Sequence, residues 1–311
     1  MNKGLVVKST GSWYSVKEES GAIIPCKIKG TFRMKGIRTT NPITVGDRVE
    51  FILKKDENEV LGLINKIEER KNYIIRKSTN LSKQAHIIAA NIDCAFLVVT
   101  LAQPVTSLAF IDRFLASAEA YRISCTLIFN KVDLYHEEQK DYLESVINLY
   151  ERIGYTCLKT STKTGEGLEQ LKEMMRNKIS VFSGHSGVGK STLVNQIEPG
   201  LTLKTNEISE YHETGQHTTT FSEMFLLSFG GYIIDTPGIK GFGVVEMDRY
   251  ELSHYFPEIF KLSGDCQFNN CTHTHEPNCA IKQAVYEGEI AESRYYTYLS
   301  LVEDEDEKYR S

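Results

Sequence analysis

Ser180-Val181-Phe182-Ser183-Gly184-His185-Ser186-Gly187-Val188-Gly189-Lys190-Ser191-Thr192-Leu193 decides the reading of this chain. From Gly184 to Ser191 it spells G-x-x-x-x-G-K-S. Ile179 to Phe182 reads as a strand before it, and Ser191 to Ile197 as a helix after it. That strand–loop–helix setting is what a phosphate-binding loop requires. Backbone N–H groups of such a loop converge on phosphate oxygens, and the helix N-terminus adds positive partial charge. Lys190 is expected to reach the β- and γ-phosphates and the Ser191 hydroxyl to ligate Mg²⁺. His185, Ser186, Gly187, Val188, Gly189 and Thr192 complete the expected cradle. The competing reading is a chance glycine turn, and the flanking elements argue against it.

Bulk properties set the frame. A chain of 311 residues holds two or three domains. Its 41% hydrophobic content is ordinary for a globular protein. No run approaches the ~18 apolar residues of a membrane span. Met1 to Lys8 lacks the apolar segment of a signal peptide, so a cytoplasmic, membrane-free protein is expected. Cys26, Cys94, Cys125 and Cys157 are scattered, while Cys266, Cys271 and Cys279 cluster, which fits a reducing compartment. Residues 1–71 hold 14 Lys and Arg against 9 Asp and Glu; the remainder holds 22 against 32. The N-terminal part is therefore expected to face an anion.

Residues 1–71 read as short strands between turns. Leu5-Val6-Val7, Trp13 to Val16, Ala22-Ile23-Ile24, Lys27-Ile28, Arg48 to Ile52 and Gly62-Leu63-Ile64 are the strand candidates. Such spacing predicts a small all-β barrel, OB-like. A basic loop with an aromatic inside it, Lys27 to Arg38, suits either a nucleic-acid contact or a solvated surface.

Residues 72–83 read as a linker or entry loop. Ile92 to Thr100 and Cys125 to Phe129 are apolar runs expected as strands buried on both faces. Between them Leu108, Ile111, Phe114, Leu115 and Ala118 share one helical face over residues 108–121. The second strand runs into Asn130-Lys131-Val132-Asp133. N-K-x-D at a strand end is the guanine-reading motif of GTPases. The Asp133 carboxylate can accept from N1–H and the exocyclic amine of guanine, a donor pair that adenine lacks. Asn130 is expected to tie this loop to the phosphate loop, with the Lys131 stem along the base. A helix over about 137–152 and a strand from Tyr155 to Thr160 follow. Ser161-Thr162-Lys163 is similar to the S-A-K base loop of GTPases, with Thr162 where alanine is usual. It also suits a plain cap for a helix over about 168–177.

The phosphate loop comes only after these. Thr205 to Thr220, ending Gly215-Gln216-His217-Thr218-Thr219-Thr220, looks like switch I, where one of the threonines completes the Mg²⁺ shell. Phe221 to Phe229 and Tyr232 to Ile234 suggest a hairpin about Gly230-Gly231. Asp235-Thr236-Pro237-Gly238 matches D-x-x-G, with Asp235 holding Mg²⁺ through water and Gly238 sensing the γ-phosphate. The order of motifs is that of a circularly permuted GTPase domain. Ile239 stands where many GTPases carry a water-orienting glutamine, and isoleucine cannot hydrogen-bond water. Slow intrinsic hydrolysis is expected, with His217 as the internal candidate to orient or activate the water.

In the last part, residues 248–263 look helical, and Cys266, Cys271, His273 and Cys279 offer three thiolates and one imidazole. That set suits one closed, structural Zn²⁺ per chain. His275 is a competing imidazole. Residues 280–301 read as one or two helices, and Glu303 to Glu307 as a frayed acidic end.

Together these motifs resemble the ribosome small-subunit-dependent GTPase family called RsgA or YjeQ. The resemblance rests on Gly11 to Val16, Gly46-Asp47-Arg48-Val49, the N-K-V-D and phosphate loops, Gly215 to Thr220, Asp235 to Gly238 and the cysteine cluster. It spans essentially the whole chain. It implies an OB-fold over 1–71, a permuted α/β P-loop GTPase domain over 72–245 and a zinc-containing, mostly helical domain over 246–311. It also implies GTP, GDP and Mg²⁺ as ligands, and a monomer that binds the small ribosomal subunit and its rRNA late in maturation. The subunit is then expected to stimulate GTP hydrolysis. Two other classes compete. One is a nucleic-acid-binding module with a vestigial nucleotide site, which intact Lys190, Ser191, Asp133 and Asp235 oppose. The other is an ATPase, which Asp133 opposes.

Overall fold

Alternating runs near the N-terminus form five strands: β1 (Asn2–Ser9), β2 (Tyr14–Glu18), β3 (Ile23–Ile28), β4 (Arg48–Lys55) and β5 (Val60–Ile67). The computed structural model describes residues 1–28, 42–55, 60–77, 85–201, 222–235 and 249–310. The five strands are ordered β1-β2-β3-β5-β4, and β4 returns to β1 from Asn2↔Phe51 to Leu5↔Arg48. Each of these five strands therefore has a neighbour on both sides among the described residues, as closure of a barrel requires. β3 and β5 are the parallel pair. Inward positions fill the barrel with Val6, Tyr14, Val16, Cys26, Val49, Phe51 and Ile64. This is the OB-like barrel that the sequence predicts. Of the basic loop only Lys27 and Ile28 are described, and Lys27 Nζ lies 4.0 Å from the centroid of the Trp13 ring.

The Gly46-Asp47-Arg48-Val49 turn now has a physical reason. Asp47 is fully buried and takes a two-pronged contact from Arg70, Nε to Oδ1 and Nη2 to Oδ2, each at 2.6 Å. Thr44 N adds a third donor at 2.8 Å. A buried carboxylate is tolerated when its oxygens are so satisfied.

Beyond the barrel, the chain corrects one expectation. Part of the segment read as a linker is a strand, β6 (Tyr73–Lys77), paired antiparallel with β7 (Ala85–Ala90). Burial of Ile74 against a strand carrying Ile87, Ala89 and Ala90 explains it, since a lone apolar triplet gains nothing until its partner arrives.

The chain divides into two units, one of residues 1–95, 168–183 and 190–240, the other of 96–167, 184–189 and 241–311. The first holds the barrel and the hairpin, together with α3 (Leu168–Met175), β11 (Ile179–Ser183), α4 (Lys190–Ile197), β12 (Ser222–Leu226) and β13 (Tyr232–Asp235). β11 and β13 are parallel, β12 is antiparallel to β13, and β12 pairs with the end of β1 at Lys8↔Glu223.

In the second unit β8 (Cys94–Val99, its first two residues in the other unit), β9 (Cys125–Asn130) and β10 (Thr156–Thr160) lie side by side, with β9 and β10 parallel. Every residue of β8 and β9 is buried, as the unbroken apolar runs predict. α1 (Leu108–Ala120) starts at Ser107, whose hydroxyl accepts from Phe110 N, and buries Ile111, Phe114, Leu115 and Ala118. α2 (Glu137–Ile153) ends at Gly154 in a left-handed conformation.

In the last part of this unit, the segment read as helical is so over 252–263, in two pieces: a 3-10 turn (Leu252–Tyr255) precedes α5 (Pro257–Ser263), because proline starts a helix but cannot continue one, and residue 248 lies outside the described residues. The acidic end, expected as a frayed tail, has helical backbone: α6 (Ala280–Tyr286) is followed by α7 (Glu292–Arg310), which runs through it. Arg113 of α1 pairs with Asp304 at 2.8 Å and donates to Ser300 Oγ at 2.7 Å. Leu252, Phe256, Ile259, Ile281, Tyr298 and Leu301 form a core that Ala116 of α1 completes. No helix among the described residues is long and apolar enough to cross a membrane.

Candidate nucleotide and metal sites

The glycines of the phosphate loop are dictated by close approach. Gly184 has φ +138°, and a Cβ there would sit 2.2 Å from Val98 O. At Gly189, φ +94°, it would sit 2.6 Å from Asn130 Nδ2. Any other residue would push the loop off both neighbours.

Asn130, at the end of β9, is 1% exposed. Its Nδ2 donates to Val188 O at 2.9 Å, and its Oδ1 accepts from Thr160 Oγ1 at 2.9 Å. One side chain thus joins the phosphate loop to the end of β10. Lys131 follows in the left-handed region, φ 61°, and its Nζ donates to Gly187 O at 2.7 Å and Gln103 O at 2.9 Å. Asp133 is exposed, and its Oδ1 accepts from Ser161 Oγ at 2.5 Å. Ser161 is fully buried, and its hydroxyl oxygen also accepts from Lys163 N and Thr164 N, each at 3.2 Å. Thr162 is half-buried and Lys163 exposed.

These contacts gather Asn130, Lys131, Asp133 and Ser161 with Gly187 and Val188 into one hydrogen-bonded cluster. The exposed ring of His185 lies against Phe110, centroids 3.7 Å apart. Ser186 and Thr192 are exposed. Lys190 and Ser191 open α4, both half-buried. Asp235 closes β13, paired across to Glu223, and its side chain lies outside the described residues. His217, Thr218, Thr219 and Gly238 lie outside them as well.

Two supporting residues escaped the sequence reading. Tyr135 is buried; its hydroxyl accepts from Leu101 N at 2.8 Å and donates to Asn130 O at 3.3 Å. Burial pushes that hydroxyl above the ordinary tyrosine range, so it stays a neutral donor. Thr160 is the other. An aromatic after a polar turn and a threonine at a strand end carry no distinctive signal.

The decisive pattern is a glycine-rich phosphate loop held by Asn130 and Lys131 from an N-K-x-D strand end that precedes it in the chain. A family model described as the RsgA GTPase matches residues 67–245, and one described as the RsgA N-terminal domain matches residues 3–62. The chain belongs to the RsgA GTPase family.

Membership brings GTP and GDP, with Mg²⁺. The chain is 61% identical over 310 residues to a Bacteroides thetaiotaomicron protein named small ribosomal subunit biogenesis GTPase RsgA 2, covering 99% of each. It is 56% identical to the Flavobacterium psychrophilum small ribosomal subunit biogenesis GTPase RsgA, covering 99% of this chain and 94% of that one. Among solved structures it is similar to YjeQ from Thermotoga maritima, with TM-score 0.80, 38% identity and 98% of each chain covered. It is also similar to YloQ, described as a circularly permuted GTPase, with TM-score 0.76, 30% identity and coverage of 99% and 96%. The permuted order read from the sequence is therefore the architecture of this family.

The cysteine cluster fits zinc. The ligand atoms of Cys266, Cys271, His273 and Cys279 all lie within 4.8 Å of one another. Cys266 Sγ and Cys279 Sγ are each 3.5 Å from His273 Nδ1 and 3.9 Å apart. A tetrahedral zinc with ordinary bond lengths sets sulfur–sulfur and sulfur–nitrogen separations of about 3.8 and 3.6 Å. Burial pushes the Cys271 thiol up to about 12 and raises Cys279, so a cation is needed to hold them as thiolates. Burial lowers His273, which keeps its imidazole in the neutral, ligating form. His275 is exposed and turned to Thr274 Oγ1 at 2.9 Å, so the competition falls to His273. Glu276 braces the loop. Burial opposes its charge, but bonds from Thr272 and Thr274 outweigh this and hold its carboxyl at about 2.

Proposed function

We propose that this chain binds GTP and hydrolyses it when it meets the small ribosomal subunit, as a timing factor in the subunit's late maturation. The observation that carries the reading is the Asn130 side chain, which fastens a guanine-type loop to a phosphate loop. In this reading the base is selected by Asp133, with Ser161, Thr162 and Lys163 at its edge and the Lys131 stem beside it. The backbone of Gly184 to Gly189 cradles the phosphates. Lys190 neutralises the β- and γ-phosphate oxygens, which lowers the cost of charge that builds on the leaving phosphate. Ser191, and Asp235 through water, would hold the Mg²⁺, which supplies electrostatic stabilisation of the transferring phosphoryl group.

Switch I would carry His217 as water-orienting group and one of Thr218, Thr219 and Thr220 as the hydroxyl that completes the Mg²⁺ shell, and the Gly238 amide would read the γ-phosphate. Ile239 cannot orient water, which leaves the free protein slow and makes hydrolysis depend on the subunit. The working division is a barrel of residues 1–71 that contacts rRNA, a GTPase domain of 72–245 and a zinc domain of 246–311. The protein acts as a cytoplasmic monomer with no membrane partner. The excess of basic residues in the barrel supports the RNA contact. Switch II leads directly into the zinc domain, so nucleotide state would bias how that domain is held.

The test is turnover of GTP and ATP with and without purified small subunits. Strong stimulation for GTP alone is expected. Equal turnover of both nucleotides, or no response to the subunit, would contradict the reading.

A further inference from the structure

Position 112 is the odd one in α1. The helix turns Ile111, Phe114, Leu115 and Ala118 inward, yet Asp112 is fully buried with them. Its carboxylate accepts from Tyr150 Oη at 2.8 Å, Thr297 Oγ1 at 2.9 Å and Arg294 Nη1 at 3.0 Å. Arg294, also fully buried, donates through Nε and Nη2 to the two oxygens of Glu258 at 2.6 and 3.0 Å. Its guanidinium lies 4.6 Å from the centroid of the Phe256 ring. None of these residues has a part in the nucleotide chemistry above. An apolar cluster of similar volume would stabilise the helices at least as well. What a charged fork adds is direction: it fixes how α1 is rotated and set against α7.

Both ends of this arrangement reach a site. Phe110, two residues before Asp112, carries its ring against His185 of the phosphate loop at 3.7 Å. On α7, Tyr295 Oη donates to His273 O at 2.6 Å, and Tyr298 Oη donates to Thr272 O at 2.7 Å. α7 therefore holds α1 with the face carrying Arg294 and Thr297 and the metal loop with the adjoining face carrying Tyr295 and Tyr298, and α1 supports the phosphate loop.

We propose that Arg294 and Phe110 are positioning residues for the phosphate loop, so that the helix holding the Cys₃His loop sets guanine-nucleotide affinity through α1 and His185. The proposal rests on the guanine-nucleotide reading. Two discrete contacts in series carry it, and such a claim is settled only by measured coupling.

The experiment uses the full chain with zinc bound, as Phe110→Ala, Arg294→Lys and the double variant. Fluorescent GDP affinity, KM and kcat, zinc content and melting temperature are measured together. Each single change is expected to weaken GDP binding about fivefold or more. The double variant is expected to be little worse than either single one, with zinc content unchanged. Near-normal GDP affinity in Arg294→Lys with a lowered melting temperature would show a purely structural role and overturn the proposal. Strictly multiplicative effects of the two changes would also overturn it. If Arg294→Lys fails to fold, Thr297→Val, which removes one donor to Asp112, takes its place in the cycle with the same criteria. Absence of GDP binding by the unaltered chain would refute the nucleotide reading itself, and this proposal with it.

Discussion

Asn130 Nδ2 donates to Val188 O at 2.9 Å, joining segments 58 residues apart in the chain. The same side chain accepts from Thr160 Oγ1. A strand end, a base loop and a phosphate loop therefore depend on one buried amide. Permutation of the chain order leaves this joint intact, because it is made in space and not along the backbone.

Asn130→Ala should break it on both sides. Val188 O and Thr160 Oγ1 would each lose a partner in a buried setting, at about 1–3 kcal/mol per unsatisfied group. A lower melting temperature together with weaker GDP binding is expected. Unchanged GDP binding in a destabilised variant would show that the joint serves the fold alone.

The metal loop has few apolar residues of its own and should need its ion. Elemental analysis is expected to give one zinc per chain, and Cys279→Ser to lose it. A ligand held at 100 times its Kd stabilises the folded state by about 2.7 kcal/mol. Chelation with a zinc-selective reagent, with Mg²⁺ kept in excess, should therefore lower the melting temperature by several degrees. An unmoved transition would mean that the four ligands hold no structural ion.

Arg70 keeps the barrel's buried charge paired. Arg70→Met would leave Asp47, fully buried, without its two-pronged donor. Removing one partner of a buried pair costs about 3–5 kcal/mol. Denaturant unfolding of Arg70→Met should show a loss of that order, and Asp47→Asn in the same background should restore part of it. A loss below ~1 kcal/mol would place the pair among surface bridges.

For hydrolysis, His217→Ala should reduce subunit-stimulated turnover about a hundredfold, the scale of general acid–base assistance, and spare GTP binding. Turnover equal to the unaltered chain would remove His217 from the mechanism.

What the sequence made legible was local. The runs Cys94–Val99 and Cys125–Asn130 are apolar without interruption, and strands buried on both faces leave that mark. The glycines and the N-K-V-D tetrapeptide are visible because each position is constrained by its own immediate geometry. β6 was not legible, since Tyr73-Ile74-Ile75 becomes a strand only against Ala85–Ala90. Nor was the acidic end of α7, whose helix is held by Arg113 191 residues away from Asp304. The Asp112–Arg294 pair spans 182 residues and would register in sequence only as two ordinary charges. Tyr135 braces Asn130 through a hydroxyl that no pattern announces.

Selection of guanine by Asp133 is tested most directly by calorimetric titration of the full chain with GDP and with ADP in Mg²⁺. GDP should bind at least about a hundredfold more tightly, the discrimination open to a site built around polar partners. Asp133→Ala should erase that gap. Equal affinities in the unaltered chain, or a gap that survives Asp133→Ala, would contradict it.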